Sequence, residues 1–167
     1  LAATTDVVVG TPVAGRGEQA LDDLVGMFVG TLALRTHIDP AHSFAEVLGH
    51  VRETDLAAYD NADLPFERLI DLLQPARSQA YSPIFQVALS LEDQTVDQLA
   101  LPGLSVSAMD LGVVPAKFDL QLTLRPDGTG MAASWIFATD LFDRATIDSF
   151  SVRFERILRV AITNRGA

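Results

Sequence analysis

The sequence predicts a mixed α/β domain, one mixed α+β sheet with flanking helices, and three observations carry that prediction. Short runs rich in Val, Ile, Leu and Phe, such as 7–9, 84–91 and 131–137, have the length and composition of strands. Two segments show apolar residues recurring at helical spacing, each behind a capping residue, Ser43 or Asp143. The two kinds of segment are interleaved without strict alternation, and no internal repeat or low-complexity tract interrupts them.

The chain has 167 residues, 49% of them hydrophobic and 20% charged, and no cysteine. A chain of that length buries roughly 70% of the surface it exposes when unfolded, so residues 1–167 are expected to form one domain with its own core. Without Cys, disulfide frameworks, Cys-ligated zinc, iron–sulfur clusters and thiol nucleophiles are excluded. Twenty-two Asp and Glu against twelve Lys and Arg give a net charge of −10, and Lys117 is the single lysine. That balance argues against nucleic acid as a partner, because nucleic-acid affinity comes largely from cations neutralising phosphates. No apolar run approaches the ~20 residues of a membrane span, and the N-terminus lacks the basic and apolar regions of a signal peptide. The chain is expected to be cytoplasmic. It opens on a strand almost at once, which suggests a piece cut from a longer protein.

Each element has a local reason. The run 7–9 reads as a short buried strand entering a turn at Gly10-Thr-Pro12, with a loop through Arg16 and Gly17. Leu21, Leu24, Val25 and Phe28 recur at helical spacing, whereas Thr31 to Arg35 alternates like a strand, so helix and strand compete over this stretch. Ser43-Phe-Ala-Glu46 matches a capping box and starts a helix over about 43–58, with Phe44, Val47, Leu48 and Val51 on one stripe. Asp60 to Asp63 breaks it. Pro65 suits the first turn of a second helix, with Asp63 a candidate N-cap, and Pro75 stops it. Residues 84–91 read as a central strand, and 92–112 as a long polar excursion holding a short strand over 104–109. Pro126-Asp-Gly-Thr-Gly130 between two apolar runs marks a hairpin. Asp143 caps the last helix, whose Ile147, Phe150, Phe154, Ile157, Leu158 and Ala161 share a face.

The residues hold no self-contained catalytic constellation. Gly10 to Gly17 approaches a phosphate loop but lacks its Lys and its hydroxyl, and Pro12 removes an amide the cradle would use. No dinucleotide fingerprint or nucleophile elbow is present. His37, His42 and His50 match no ligand spacing, and solvated or capping roles explain them. The acidic pairs Asp22-Asp23 and Glu92-Asp93 read as solvated faces. Asp119, between Phe118 and Leu120, points away from both if it lies in a strand, and would need partners if buried.

Several segments, taken in order, resemble the C-terminal half of the condensation domains of nonribosomal peptide synthetases. Val8-Val-Gly-Thr-Pro-Val-Ala-Gly-Arg16 with Gly26-Met-Phe-Val-Gly-Thr-Leu-Ala-Leu-Arg35 is similar to the block GxPxAGR…GxFVNTxxLR. Asp63-Leu-Pro-Phe-Glu-Arg-Leu69 resembles HQDxPFExL, and Tyr81-Ser-Pro-Ile-Phe-Gln86 resembles RxPLFQ. Lys117-Phe-Asp-Leu120 and Ala138-Thr-Asp-Leu-Phe-Asp143 are similar to later signatures.

The resemblance implies one lobe of a chloramphenicol-acetyltransferase-like fold, in which two lobes form a V around a tunnel that phosphopantetheine arms enter from both ends. It implies an N-terminal lobe of the same domain and carrier proteins as partners, in a pathway of antibiotic or other secondary metabolism. The family's catalytic motif HHxxxDG belongs to the other lobe and has no match here, so no catalytic residue, bound cofactor or metal is expected in this one. By position, 10–17 would be the floor loop and 93–116 the latch crossing to the other lobe. Gly10, Thr11, Pro12, Arg16, Gly30, Thr31, Asn61 and Asp63 are the candidate tunnel and interface residues, Arg16 as an ion-pair anchor. Two departures stand out: Gly30 replaces an Asn, and Asn61-Ala62 replaces His-Gln. They fit drift in an active domain, or an X-type domain that recruits cytochrome P450 enzymes and forms no bond.

Overall fold

The computed structural model describes residues 4–163 except 16–18, 22, 77, 79–80, 93–102, 105–108, 110–111, 113 and 129. Five strands, β1 (Asp6–Ala14), β2 (Val29–His37), β3 (Val87–Leu91), β4 (Leu120–Pro126) and β5 (Met131–Phe137), form one sheet in the order β2-β1-β3-β4-β5. The two outer pairs are antiparallel, and β1, β3 and β4 run parallel through the middle. Helices α1 (Phe44–Tyr59) and α2 (Phe66–Leu73) lie between β2 and β3 in sequence, and α3 (Arg144–Thr163) follows β5. The predicted mixed sheet with flanking helices is the observed one, and residues 84–91 do supply its central strand.

Local chemistry sets the helix ends. Ser43 caps α1 by a complete capping box: its Oγ accepts from the Glu46 amide at 3.4 Å and its amide donates to Glu46 Oε2 at 2.7 Å. This contact holds the Glu46 carboxyl below its usual range, chiefly through the Ser43 amide. Asp143 caps α3 by accepting from the Thr146 amide at 2.7 Å. For α2 the expectation fails. Pro65 is the N-cap and makes no side-chain cap bond, while Asp63 sits exposed in the preceding turn. Proline's fixed φ already sets the entry angle there, so a capping oxygen two residues earlier is not used.

Helix α3 meets one face of the sheet at β5. Cross-strand partners Leu122 and Trp135 share that face, and Trp135 meets Phe154 of α3 edge-on at 6.2 Å. Ile147 and Ala161 are the buried residues of α3, whereas Ile157 and Leu158, predicted on the same stripe, are exposed. Helix α1 runs against β2, where Leu32 and Thr36 are buried.

Three boundaries differ from expectation. Strand β1 continues through Gly10-Thr-Pro12 to Ala14, so the first half of the proposed floor loop is strand; Arg16 and Gly17 lie outside the described residues. Pro12 is tolerated because β1 pairs with β3 only at Gly10 and Ala88, leaving one ladder beside it further on. Strand β3 starts at Val87, since Ile84 adopts φ 72° and the Phe85 amide turns back to the Pro83 carbonyl at 2.9 Å. The helical spacing of 21–28 resolves to a single 3-10 turn, Gln19–Leu21. Most of 93–116, including 105–108 of the expected short strand, lies outside the described residues, and its described positions hold no strand.

Candidate functional site

The sheet face that carries Gly10 also carries a recess of about 280 Å³. Strand β1 contributes Gly10, Thr11 and Pro12, and β2 contributes Val29 and Thr31, with Met27 just before it. Thr31 pairs with Pro12 across the ladder, which puts the two on one face. From β3 come Ala88 and Ser90, and from the entry to β4 come Lys117, Phe118 and Gln121. Most of the described wall is apolar, with Thr11, Thr31, Ser90 and Gln121 as hydrogen-bonding groups and Lys117 as the one charged group among the described residues.

Phe85 makes the floor. It is the most buried large side chain among the described residues, at 1% exposure, and lies between Phe66 of α2 at 5.4 Å and Phe118 at 5.2 Å, measured between ring centroids. Its ring fills the space into which a side chain at position 10 would project, so Gly10 is needed for close approach. The chain 66–85–118 thus ties α2, β3 and β4 beneath the recess.

The same face continues away from the recess on both sides. Toward β5, Gln121, Thr123, Arg125 and Ser134 line a more polar hollow of about 400 Å³. Toward the start of β1, Arg35 grips Asp6 with three contacts of 2.7, 2.9 and 3.2 Å. That bidentate bond holds the Asp6 carboxyl below its usual range and raises the Arg35 guanidinium.

The recess gathers four of the eight sequence-predicted site residues: Gly10, Thr11, Pro12 and Thr31. The other four stand apart. Arg16 lies outside the described residues. Gly30 pairs with Val13 and does not line the recess; a side chain there would come within 3.2 Å of Val13 Cγ1. Asn61 Nδ2 donates to the Ala57 carbonyl at 2.9 Å, which satisfies an orphan acceptor at the end of α1. Asp63 is exposed in the turn, and neither it nor Asn61 is part of the lining. The other eight described lining residues, Phe85, Lys117 and Gln121 among them, are left out of the site by motif reading, although Met27, Val29, Phe85, Lys117 and Phe118 fall inside quoted motifs; their role depends on contacts between distant segments.

None of the histidines lines the recess. His42 and His50 lie 5.0 Å apart between ring centroids at the start of α1. Asp119, which would have needed partners if buried, is only half-buried, and its carbonyl accepts the Ala138 amide at 3.0 Å. Among the described residues no cluster of His, Asp and Glu could hold a metal ion, and no helix is long and apolar enough to cross a membrane.

The mixed sheet, with a helix against one face and the recess on the other, sets the class of domain. Sequence comparison gives the class its name: the condensation domain family matches residues 1–166, and the chain belongs to that family. It is 46% identical over 167 residues to a dimodular nonribosomal peptide synthase of Bacillus subtilis (strain 168), a match covering 96% of this chain and 7% of that protein. It is 42% identical over 166 residues to the isonitrile lipopeptide synthase of Mycobacterium tuberculosis, covering 95% of this chain and 6% of that protein.

The X-domain from teicoplanin biosynthesis superposes with a TM-score of 0.88 at 30% identity, covering 99% of this chain and 38% of that one. The first condensation domain of the CDA synthetase superposes at 0.76 with 21% identity, covering 98% of this chain and 35% of that one, a likeness of fold. The chain therefore spans a small part of the synthetases it matches and somewhat over a third of the solved domains. Its fold is of the chloramphenicol-acetyltransferase-like kind.

Proposed function

We propose that this chain is the C-terminal lobe of a condensation domain that joins two carrier-bound thioesters through a peptide bond. The observation that carries the reading is the recess: Gly10, Thr11, Pro12 and Thr31, quoted from the family blocks, meet around it on the sheet face that α3 leaves open. In this reading that face is one wall of the tunnel, and an N-terminal lobe supplies the other.

The reaction needs the acceptor's free amine to attack the donor thioester carbonyl. A C–N bond forms, the C–S bond breaks, the donor thiol departs, and the amine gives up a proton. The described lining holds no His, Asp or Glu to take that proton. The lobe's own work is therefore to bind and orient. Its apolar wall excludes water from the thioester, and Thr31, Ser90 and Gln121 offer hydrogen bonds to the amides of a pantetheine arm. Phosphopantetheine is carried by the substrates here and is no resident group of this lobe. In the same reading 93–116 is the latch and 10–17 borders the floor of the tunnel.

Incubating the 167-residue chain with donor and acceptor aminoacyl carrier proteins should give no dipeptide above background, and joining it to an N-terminal lobe carrying HHxxxDG should give product. Dipeptide from the chain alone would refute the division of labour. The likeness to an X-domain, 30% identical at a TM-score of 0.88, supports a second reading, a non-catalytic domain that recruits a partner enzyme such as a cytochrome P450. The parent's own upstream sequence separates the two: an intact HHxxxDG favours condensation, and a disrupted one favours recruitment.

A further inference from the structure

We propose that Lys117 reads an anionic group on the bound thioester, making the recess selective for an arm that carries one negative charge. The proposal rests on the reading of the recess as an arm-binding wall and adds to it a charge requirement and the residue that imposes it.

The first observation is electrostatic. The protein carries a net charge of −10, yet no acidic side chain is among the described residues lining the recess, and the one charged group among them is the only lysine in the sequence. An anion approaching from solvent is repelled over much of this chain but meets a cation here. The second is that the cation is uncommitted. Arg35, Arg144 and Arg159 each hold a carboxylate, at 2.7, 3.0 and 2.6 Å, whereas Lys117 is exposed and pairs with no acid among the described residues. The third is that its backbone is held in place. The adjacent Phe118 packs, tilted, against Phe85, the buried floor residue, so the stem of Lys117 starts beside a packed ring while its ammonium is exposed to meet a ligand.

Size and polarity restrict the ligand. About 280 Å³ is at the small end of the range of ligand pockets, and suits part of an extended chain better than a compact molecule. Neutral hydrogen-bonding groups on an apolar wall fit amides and methylenes, and a lysine supplies a point charge for phosphate or carboxylate. Two sources share this chemistry: the phosphate at the far end of a phosphopantetheine arm, and a carboxylate on the acyl group.

Three probes titrated into the full 167-residue chain by NMR test the proposal: S-acetyl-pantetheine, S-acetyl-phosphopantetheine and S-succinyl-pantetheine. At least one anionic probe should bind about two- to fivefold tighter than the neutral one, the range of an exposed charge pair. That advantage should vanish in Lys117→Ala, return in Lys117→Arg and shrink as salt is raised. A gain confined to the phosphorylated probe assigns the anion to the arm, and one confined to the succinyl probe assigns it to the acyl group. Equal binding of all three probes to the wild type, or an unchanged advantage in Lys117→Ala, overturns the role of Lys117 while leaving the recess as an arm site. Failure of every probe to perturb the recess overturns the arm reading and the proposal together.

Discussion

The Phe85 ring occupies the volume that a side chain on Gly10 would need, so the one residue pair that links β1 to β3, Gly10 with Ala88, sits directly beside the recess floor. Gly10→Ala therefore forces the ring aside in a packed environment, a change that costs about 1–3 kcal/mol. Urea denaturation should report the loss. Pairing Gly10→Ala with Phe85→Leu should recover part of it, because the smaller side chain vacates the contested space. Additive losses would show that the two residues are not in conflict.

Phe85→Ala is expected to be more costly, about 3–5 kcal/mol, since it opens a cavity between Phe66 and Phe118 where the ring is 1% exposed. The same variant should loosen the position of Lys117 through Phe118, so a stability loss without any change at the Lys117 amide in NMR spectra would contradict the aromatic chain described above.

The capping box predicts a pH dependence. Hydrogen bonding to Ser43 lowers the folded-state pKa of Glu46, so its stabilisation is complete above the unfolded value of about 4.3 and is lost as pH falls through the lower folded value. Glu46→Gln should reduce Tm at neutral pH, and its difference from the wild type should narrow as pH falls through the lowered folded-state value and the wild-type carboxyl is protonated as well. Ser43→Ala removes the acceptor for the Glu46 amide and should cost about 1 kcal/mol. A Glu46→Gln difference that widened in acid would reverse the assigned sign.

Elements governed by neighbours in sequence are legible in the sequence itself. The box at Ser43 and Glu46, the cap at Asp143 and the hairpin at 126–130 need only local hydrogen bonds and turn geometry. What escaped depends on partners far along the chain. Pro12 reads as a strand end, yet β1 runs on to Ala14 because β2 pairs with it along its whole length. Ile84 reads as strand, yet its φ of 72° belongs to a turn that delivers Phe85 to the floor. The candidate site divides in the same way. Motif order picked out Gly10, Thr11, Pro12 and Thr31, which do meet, whereas Asn61 is used up in closing the end of α1. Lys117 and Phe85 gain meaning only when β4 is laid beside β3.

Gln74 offers a gain in stability. It ends α2 in the left-handed region, φ 43° and ψ 51°, with its amide donating to the Ile70 carbonyl at 2.9 Å. A non-glycine residue is strained there by contact between Cβ and its own backbone, and glycine is not. The Gln74 side chain is exposed and makes no hydrogen bond among the described residues, so little is lost with it. Gln74→Gly should therefore stabilise the protein by about 0.5–1 kcal/mol, net of glycine's greater freedom in the unfolded chain. Gln74→Asn should fall between the two, and Gln74→Val should destabilise, because a β-branched side chain tolerates this conformation least. Urea midpoints compared at constant slope decide it, and a lower midpoint for Gln74→Gly would mean that the backbone strain is smaller than the entropy glycine costs.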